Sequence, residues 1–354
     1  MSKPAELQDK FYGCIAGVHV GSAMGAQVEG WSWQKIEETY GTLDKLVSYQ
    51  HYNNGWDREP GTTEDGVERQ KLMITAIMEK QDRVNAEDVR AAWVKYIKPE
   101  SAGMISEPFE AVLLAMAKSG IPARELGRYC DYAGLNSFSR SCHPIGLINA
   151  GDVTGAINDV FEVGQLYQTS NSRGLQWAAV TGAAIAEATK PNATVDSVIG
   201  VIYDHCHPDM VVKEIDRELK RTAHCTDFRE LRSAFDPVYN VKGIKYSMSY
   251  ANEVVTKAIC LFKMTEGNLH DTLIAAVNMG RDTDCVAAVS AGIAGALSGS
   301  ATMPEAYIKQ VDYATSLHKV SNSQRTIREH ADGLFQAYMA RMHRMKAFAE
   351  QMAY

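Results

Sequence analysis

The chain has 354 residues, 45% of them hydrophobic and 22% charged, which is the make-up of a globular protein with ample material for a core. A net charge of −7 argues against a nucleic-acid surface, which would be basic. No apolar run reaches membrane-spanning length, the opening residues lack the apolar stretch of a secretory leader, and seven scattered cysteines, an odd number, do not make a disulfide framework. A reduced, cytoplasmic protein is expected.

Helical patterning dominates and predicts a single all-α domain over 1–354, without strands or repeats. From Gln8 to about Met24, Phe11, Ile15 and Val18 recur at helical spacing, beside a second stripe of Gly13, Gly17, Gly21 and Gly25. Each glycine costs about 1 kcal/mol inside a helix, so such a stripe points to close packing against a neighbour. It leads to Glu29, by itself an ordinary surface residue. Residues 31–60, with Trp31, Trp33, Tyr40, Tyr49, His51, Tyr52 and Trp56, read as an irregular loop over a site or an edge.

Next comes Pro60-Gly61-Thr62-Thr63-Glu64-Asp65-Gly66, an acidic cluster opening a helix that runs through Val67, Leu72 and Ile77. Thr63 fits as its N-cap. Residues 86–98, 107–118, 153–168, 175–190 and 250–264 are expected helices, and 134–155 an intervening loop. Within that loop, Asn136 to Gly146 is polar enough to contact a substrate, or to be plain surface. Within the charged stretch 204–245, Lys213 to Arg221 suits a solvated helix. In 323–354, Leu334, Tyr338, Met342, Met345, Phe348 and Met352 mark a long amphipathic helix. It would pack on the chain's own core, with a homo-oligomer partner as the alternative.

The most informative stretch is Gly280-Arg281-Asp282-Thr283-Asp284-Cys285, followed by an Ala/Gly-rich helical run from Val286 to Leu297. Carboxylates at i and i+2 cannot share a face of a regular helix. From a tight turn at a helix start they can converge on a hard cation, or they can simply cap the helix. The pairs Cys142-His143, His205-Cys206-His207 and His224-Cys225 lack the spacing of a zinc site, and no local elbow supports a cysteine nucleophile. Two acidic clusters at helix starts, facing each other, would suit a metal-dependent hydrolase, with Glu29 as a third carboxylate for proton transfer.

Three motifs carry a family resemblance. Gly17, Gly21, Gly25 and Glu29 at four-residue spacing, Thr63-Glu64-Asp65 in place of Thr-Asp-Asp, and Gly280-Arg281-Asp282-Thr283-Asp284-Cys285 resemble the motifs of the ADP-ribosylglycohydrolases. This all-helical family includes the enzymes that reactivate ADP-ribosylated dinitrogenase reductase, and the resemblance extends from about residue 9 to 300. It implies a compact multi-helix orthogonal bundle around a dinuclear magnesium centre, with manganese as a variant. Thr63, Glu64 and Asp65 would be ligands from one side, and Asp282, Asp284 and Cys285 from the other. Glu29, Asp65 and Asp282 would act at the scissile bond, and Asn136, Arg140 and His143 on the substrate side. The implied substrate is an ADP-ribosylated protein or a small ADP-ribosyl or ribosyl compound, with no nucleic acid and no membrane involved.

The chain departs from the pattern in several places. Glu64 replaces Asp, Cys285 replaces a hydroxyl residue, Gly66 replaces a second threonine and Ser22 stands where an Asp is usual. Asn171 to Gly174 occupy the place of a family histidine. A different glycoside as substrate, or a non-catalytic scaffold like the family's lens crystallins, are the alternatives.

Overall fold

The computed structural model describes residues 6–50, 55–97, 108–130, 133–241, 243–244, 247–318 and 321–353, with side chains from 112 onward in the helix that opens at Pro108. His51, Tyr52 and the expected helix ends at 98 and 107 lie outside them. Among the described residues there are seventeen α-helices. In chain order they are α1 (Leu7–Ala26), α2 (Trp33–Tyr40), α3 (Asp65–Lys80), α4 (Ala86–Tyr96), α5 (Pro108–Lys118), α6 (Ala123–Leu126), α7 (His143–Ile148), α8 (Val153–Gly164) and α9 (Arg173–Ala188). Then follow α10 (Val195–His205), α11 (Lys213–Arg221), α12 (Phe228–Tyr239), α13 (Ala251–Met264), α14 (Leu269–Val277), α15 (Thr283–Ser298), α16 (Glu305–Leu317) and α17 (Ile327–Met352). The fold is all-α, as the patterning predicts. None of the described helices is long and apolar enough to cross a membrane.

The centre of the molecule is the seam between α1 and α15. The two helices run antiparallel, and a Cβ added at Gly17 would lie 2.3 Å from the Ala291 carbonyl oxygen. At Gly25 it would lie 2.5 Å from the Asp284 Cα. The four-residue glycine stripe thus lets two backbones meet almost directly, and α15 is buried from Thr283 to Ala296. Around the seam, α9, α13 and α14 pack on α15, while α3 and α17 pack on α1.

Several segments differ from expectation. Residues 31–60 contain α2, whose N-cap Ser32 accepts a hydrogen bond from the Lys35 amide, and a small antiparallel pair, β1 (Tyr49–Gln50) with β2 (Asp57–Arg58). Helix α2 buries only Ile36, so it leaves almost no apolar period to read. The expected loop 134–155 holds α7, all six residues of which are buried. Its Pro144 looks like a breaker but sits in the first turn, where a missing amide hydrogen costs nothing. Helix α12 lies in the charged stretch, with Asp227 as its cap and Pro237 near its end.

Helix α11 is mostly solvated, yet Ile215 and Glu218 are buried, the latter accepting hydrogen bonds from Arg217 and Arg221. The C-terminal helix α17 is divided. Its first half packs inward through Leu334 and Ala337, with Phe335 edge-on to Phe11 at 5.4 Å. In its second half Met345, Phe348 and Met352 are exposed.

Candidate metal centre

Because α1 and α15 run antiparallel, the exit of α1 lies against the start of α15. The junction is tied by reciprocal backbone bonds: the Gly30 amide donates to the Arg281 carbonyl (2.8 Å) and the Arg281 amide to that of Trp31 (2.7 Å). The Thr283 hydroxyl donates to the Gly25 carbonyl (2.7 Å). Arg281, in the left-handed region at φ 67°, forks onto both carboxylate oxygens of Glu253 at 2.7 and 2.9 Å. Asp282 is the residue preceding the helix, at φ −87° and ψ 65°, so its side chain can converge with that of Asp284 despite their i, i+2 spacing.

The capping interpretation does not hold for Asp282, whose side chain makes no capping hydrogen bond. Its Oδ2 accepts from the Asn136 amide at 2.9 Å. Asp282 Oδ1 and Asp284 Oδ1 are buried and accept no hydrogen bond from any protein donor. Buried oxygens of this kind cost free energy unless something positive meets them. One ligand atom each from Asp282, Asp284 and Cys285 lie within 4.8 Å of one another, the grouping a cation would need. Burial pushes the Asp284 carboxyl well above the usual carboxylate range, with the charges of Glu29 and Asp282 adding to it. Burial likewise pushes the Cys285 thiol well up. Neutral sulfur is a poor ligand for a hard ion, so the donor set fits a cation held mainly by oxygens.

The second acidic cluster is differently placed. Glu64, not Thr63, is the residue preceding α3, and it makes no side-chain cap either. Thr63 is buried beside it. Glu64 Oε1 accepts from the Tyr49 hydroxyl at 2.5 Å and lies 3.4 Å from Arg58 Nε. The Glu64 amide donates to the Ser22 hydroxyl at 3.3 Å, so the serine that stands in for a family aspartate braces this turn. Asp65 Oδ2 accepts from Arg140 at 2.5 Å and from Arg69 at 3.2 Å, while Oδ1 accepts from the Gly66 amide. Burial alone would raise the Asp65 carboxyl, but the Arg140 and Arg69 guanidiniums outweigh it and hold it below the usual range.

Residues 135–142, in the loop expected either to contact a substrate or to be plain surface, form a buried wedge between α3 and the start of α15. Arg69 donates to the Ser137 carbonyl at 3.1 Å and Gln70 to that of Arg140 at 3.0 Å, pinning the wedge to α3. From it Asn136 reaches Asp282, and Arg140 reaches Asp65, Cys285 Sγ at 3.3 Å and Asp284 at 3.8 Å. His143, expected on the substrate side, is instead a core residue. It is fully enclosed, with one ring nitrogen 3.1 Å from the Gln70 side-chain amide and the other 3.1 Å from the Ala288 carbonyl. Glu29 is half-buried on the rim. It lines a cavity of about 420 Å3 together with Trp31, Lys35, Tyr40 and Tyr49. Trp31 and Tyr40 stack at 6.4 Å, and the Lys35 ammonium lies 3.7 Å from the Trp31 ring centre.

The bonds that Tyr49, Arg58 and Arg69 make to the acids were not foreseen. Only Arg69 had a signal, its i+4 position from Asp65 on one helix face.

Comparison with known proteins gives a consistent result. A protein of Escherichia coli (strain K12), the uncharacterized YegU, is 23% identical over 347 residues, covering 90% of this chain and 99% of its own. An uncharacterized protein of Archaeoglobus fulgidus is 25% identical over 296 residues, covering 82% and 88%. A solved structure, an ADP-ribosylglycohydrolase-related protein complex, superposes with a TM-score of 0.64 at 17% identity over 95% of this chain and 99% of that one, a likeness of fold. The profile of the ADP-ribosylglycohydrolases matches residues 3–343, and the chain belongs to that family.

Proposed function

We propose that the protein is a metal-dependent glycohydrolase that cleaves the glycosidic bond of an ADP-ribosylated or related ribosyl substrate. The observation that carries this reading is the pair of buried, unsatisfied oxygens, Asp282 Oδ1 and Asp284 Oδ1, with Glu29, which lines the cavity, near enough for its charge to act on Asp284. Asp282 and Asp284 would hold a magnesium or manganese ion. When bound, such an ion supplies Lewis acidity toward the ribose hydroxyls and lowers the pKa of water.

The remaining work falls to the chain's own residues. Asn136 fixes the orientation of Asp282 through its amide, so one oxygen is always turned toward the site. Glu29, on the rim, takes or returns the proton at the reacting oxygen. The stacked Trp31 and Tyr40 offer a flat wall for a base or sugar, and Lys35 a cation for a phosphate. The seam of α1 and α15 keeps bulk water from the back of the site.

The test is hydrolysis of an ADP-ribosylated peptide, and of a ribosyl compound lacking the pyrophosphate, with magnesium or manganese added. Turnover of the first that disappears in Asp282→Ala and Asp284→Ala, with helical content retained, supports the reading. Turnover of the second alone moves the substrate to another glycoside. Unchanged rates in both variants would end the claim.

A further inference from the structure

The two acidic clusters of this centre do not face each other across open space. The Arg140 guanidinium lies between them, donating to Asp65 Oδ2 at 2.5 Å and to Cys285 Sγ at 3.3 Å, with Asp284 Oδ2 at 3.8 Å. We propose that Arg140 is a resident cation that takes the place of a second metal ion, so that the centre holds a single divalent ion on Asp282 and Asp284. This rests on the metal-dependent reading above and departs from the dinuclear centre that the family resemblance implies.

Four independent features support it. The Thr63-Glu64-Asp65 side is already met by covalently tethered charge, Asp65 by Arg140 and Arg69 and Glu64 by Arg58, with the Tyr49 hydroxyl donating a hydrogen bond to Glu64. The carboxylate oxygens that lack a donor, Asp282 Oδ1 and Asp284 Oδ1, both lie on the other side. Among the described residues, the one group of His, Cys, Asp or Glu ligand atoms close enough to hold an ion is Asp282, Asp284 and Cys285, again on that side.

The fourth feature is steric. A Cβ at Gly66 would sit 3.0 Å from Arg140 Cδ and 3.2 Å from its Cγ. A β-branched threonine, the family's residue at this position, would therefore press on the arginine stem. The absence of a side chain at Gly66 leaves room for the Arg140 stem.

The experiment is manganese titration of chelator-treated full-length protein by calorimetry, read together with the electron paramagnetic resonance of the bound ion. The expected result is one ion per chain with the spectrum of an isolated manganese, and a second ion, spin-coupled to the first, in Arg140→Ala combined with Gly66→Thr. Circular dichroism of the double variant shows whether it is folded, and the wild-type stoichiometry decides the matter even if it is not. Two coupled ions in the wild-type protein would overturn the inference while leaving a metal-dependent glycohydrolase standing. No ion in the wild-type protein would overturn both.

Discussion

The two halves of the centre are built on opposite electrostatic plans. On the α15 side, Asp282 and Asp284 are buried against a backbone seam, with an asparagine and a thiol for neighbours and two oxygens unsatisfied. On the α3 side, Glu64 and Asp65 are buried to a similar depth but face three arginines and a tyrosine. In the first half two carboxylate oxygens have no hydrogen-bond donor, and the second carries its cations covalently. A carboxylate motif alone therefore does not indicate a metal ligand. What separates the two roles is whether positive charge is supplied by the chain or left to be recruited.

The contrast can be broken most severely at Asp65. Asp65→Ala removes the carboxylate that the buried Arg140 and Arg69 share and should destabilise the protein by about 3–5 kcal/mol, measured by urea unfolding. A loss below about 1 kcal/mol would mean that water already screens this half. Next comes the seam on which the α15 half depends. Gly17→Ala places a methyl 2.3 Å from the Ala291 carbonyl oxygen and should cost about 1–3 kcal/mol, since two backbones must separate. The same variant should weaken manganese binding, because the seam positions Asp282 and Asp284.

Acid should affect both halves alike. Burial pushes His143, behind the α15 half, and His330, which lies close enough to Lys71 of α3 to feel its charge, down to about 3. Their unfolded values are near 6.5, so above that pH neither contributes. As pH falls from 6.5 toward 3 the unfolded chain takes up protons that the folded one refuses, and stability declines by up to about 1.4 kcal/mol per pH unit per histidine. Thermal unfolding between pH 7 and pH 5 checks this, and His330→Gln should flatten the slope. The smallest effect has the opposite sign. In metal-free protein Asp284→Asn removes a crowded buried carboxyl and should stabilise by about 1 kcal/mol, whereas in the presence of manganese it should be the less stable form. Stabilisation under both conditions would show that Asp284 holds no ion.

Much of this was legible in one sequence. The glycine stripe from Gly13 to Gly25 announced a close helix contact, and it meets the backbone of α15 at Asp284, Ala287, Ala291 and Gly295. The two acidic turns stood out by composition and do lie at helix starts. Other features left no trace at that level. Short α2 and α7 have too few turns for a period to emerge, and Pro144 and Gly146 disguise α7 further. The loop around Asn136 is polar because it bonds to the interior, yet polarity reads equally as exposure.

The sequence by itself determined the helical composition, the close packing of the glycine-striped helix and the placing of acids at two helix starts. These depend on local backbone preference and on side-chain size, which are written position by position. Only the tertiary structure decided which acids stay open to a ligand. Arg140 is 75 residues from Asp65 and 145 from Cys285, and no spacing rule connects them. Its guanidinium reaches both because the wedge after Leu135 is pinned to α3 and because Gly66 lacks a side chain that would press on its stem. Charge compensation across such separations is a property of packing in three dimensions, where a few ångströms decide which pairs form.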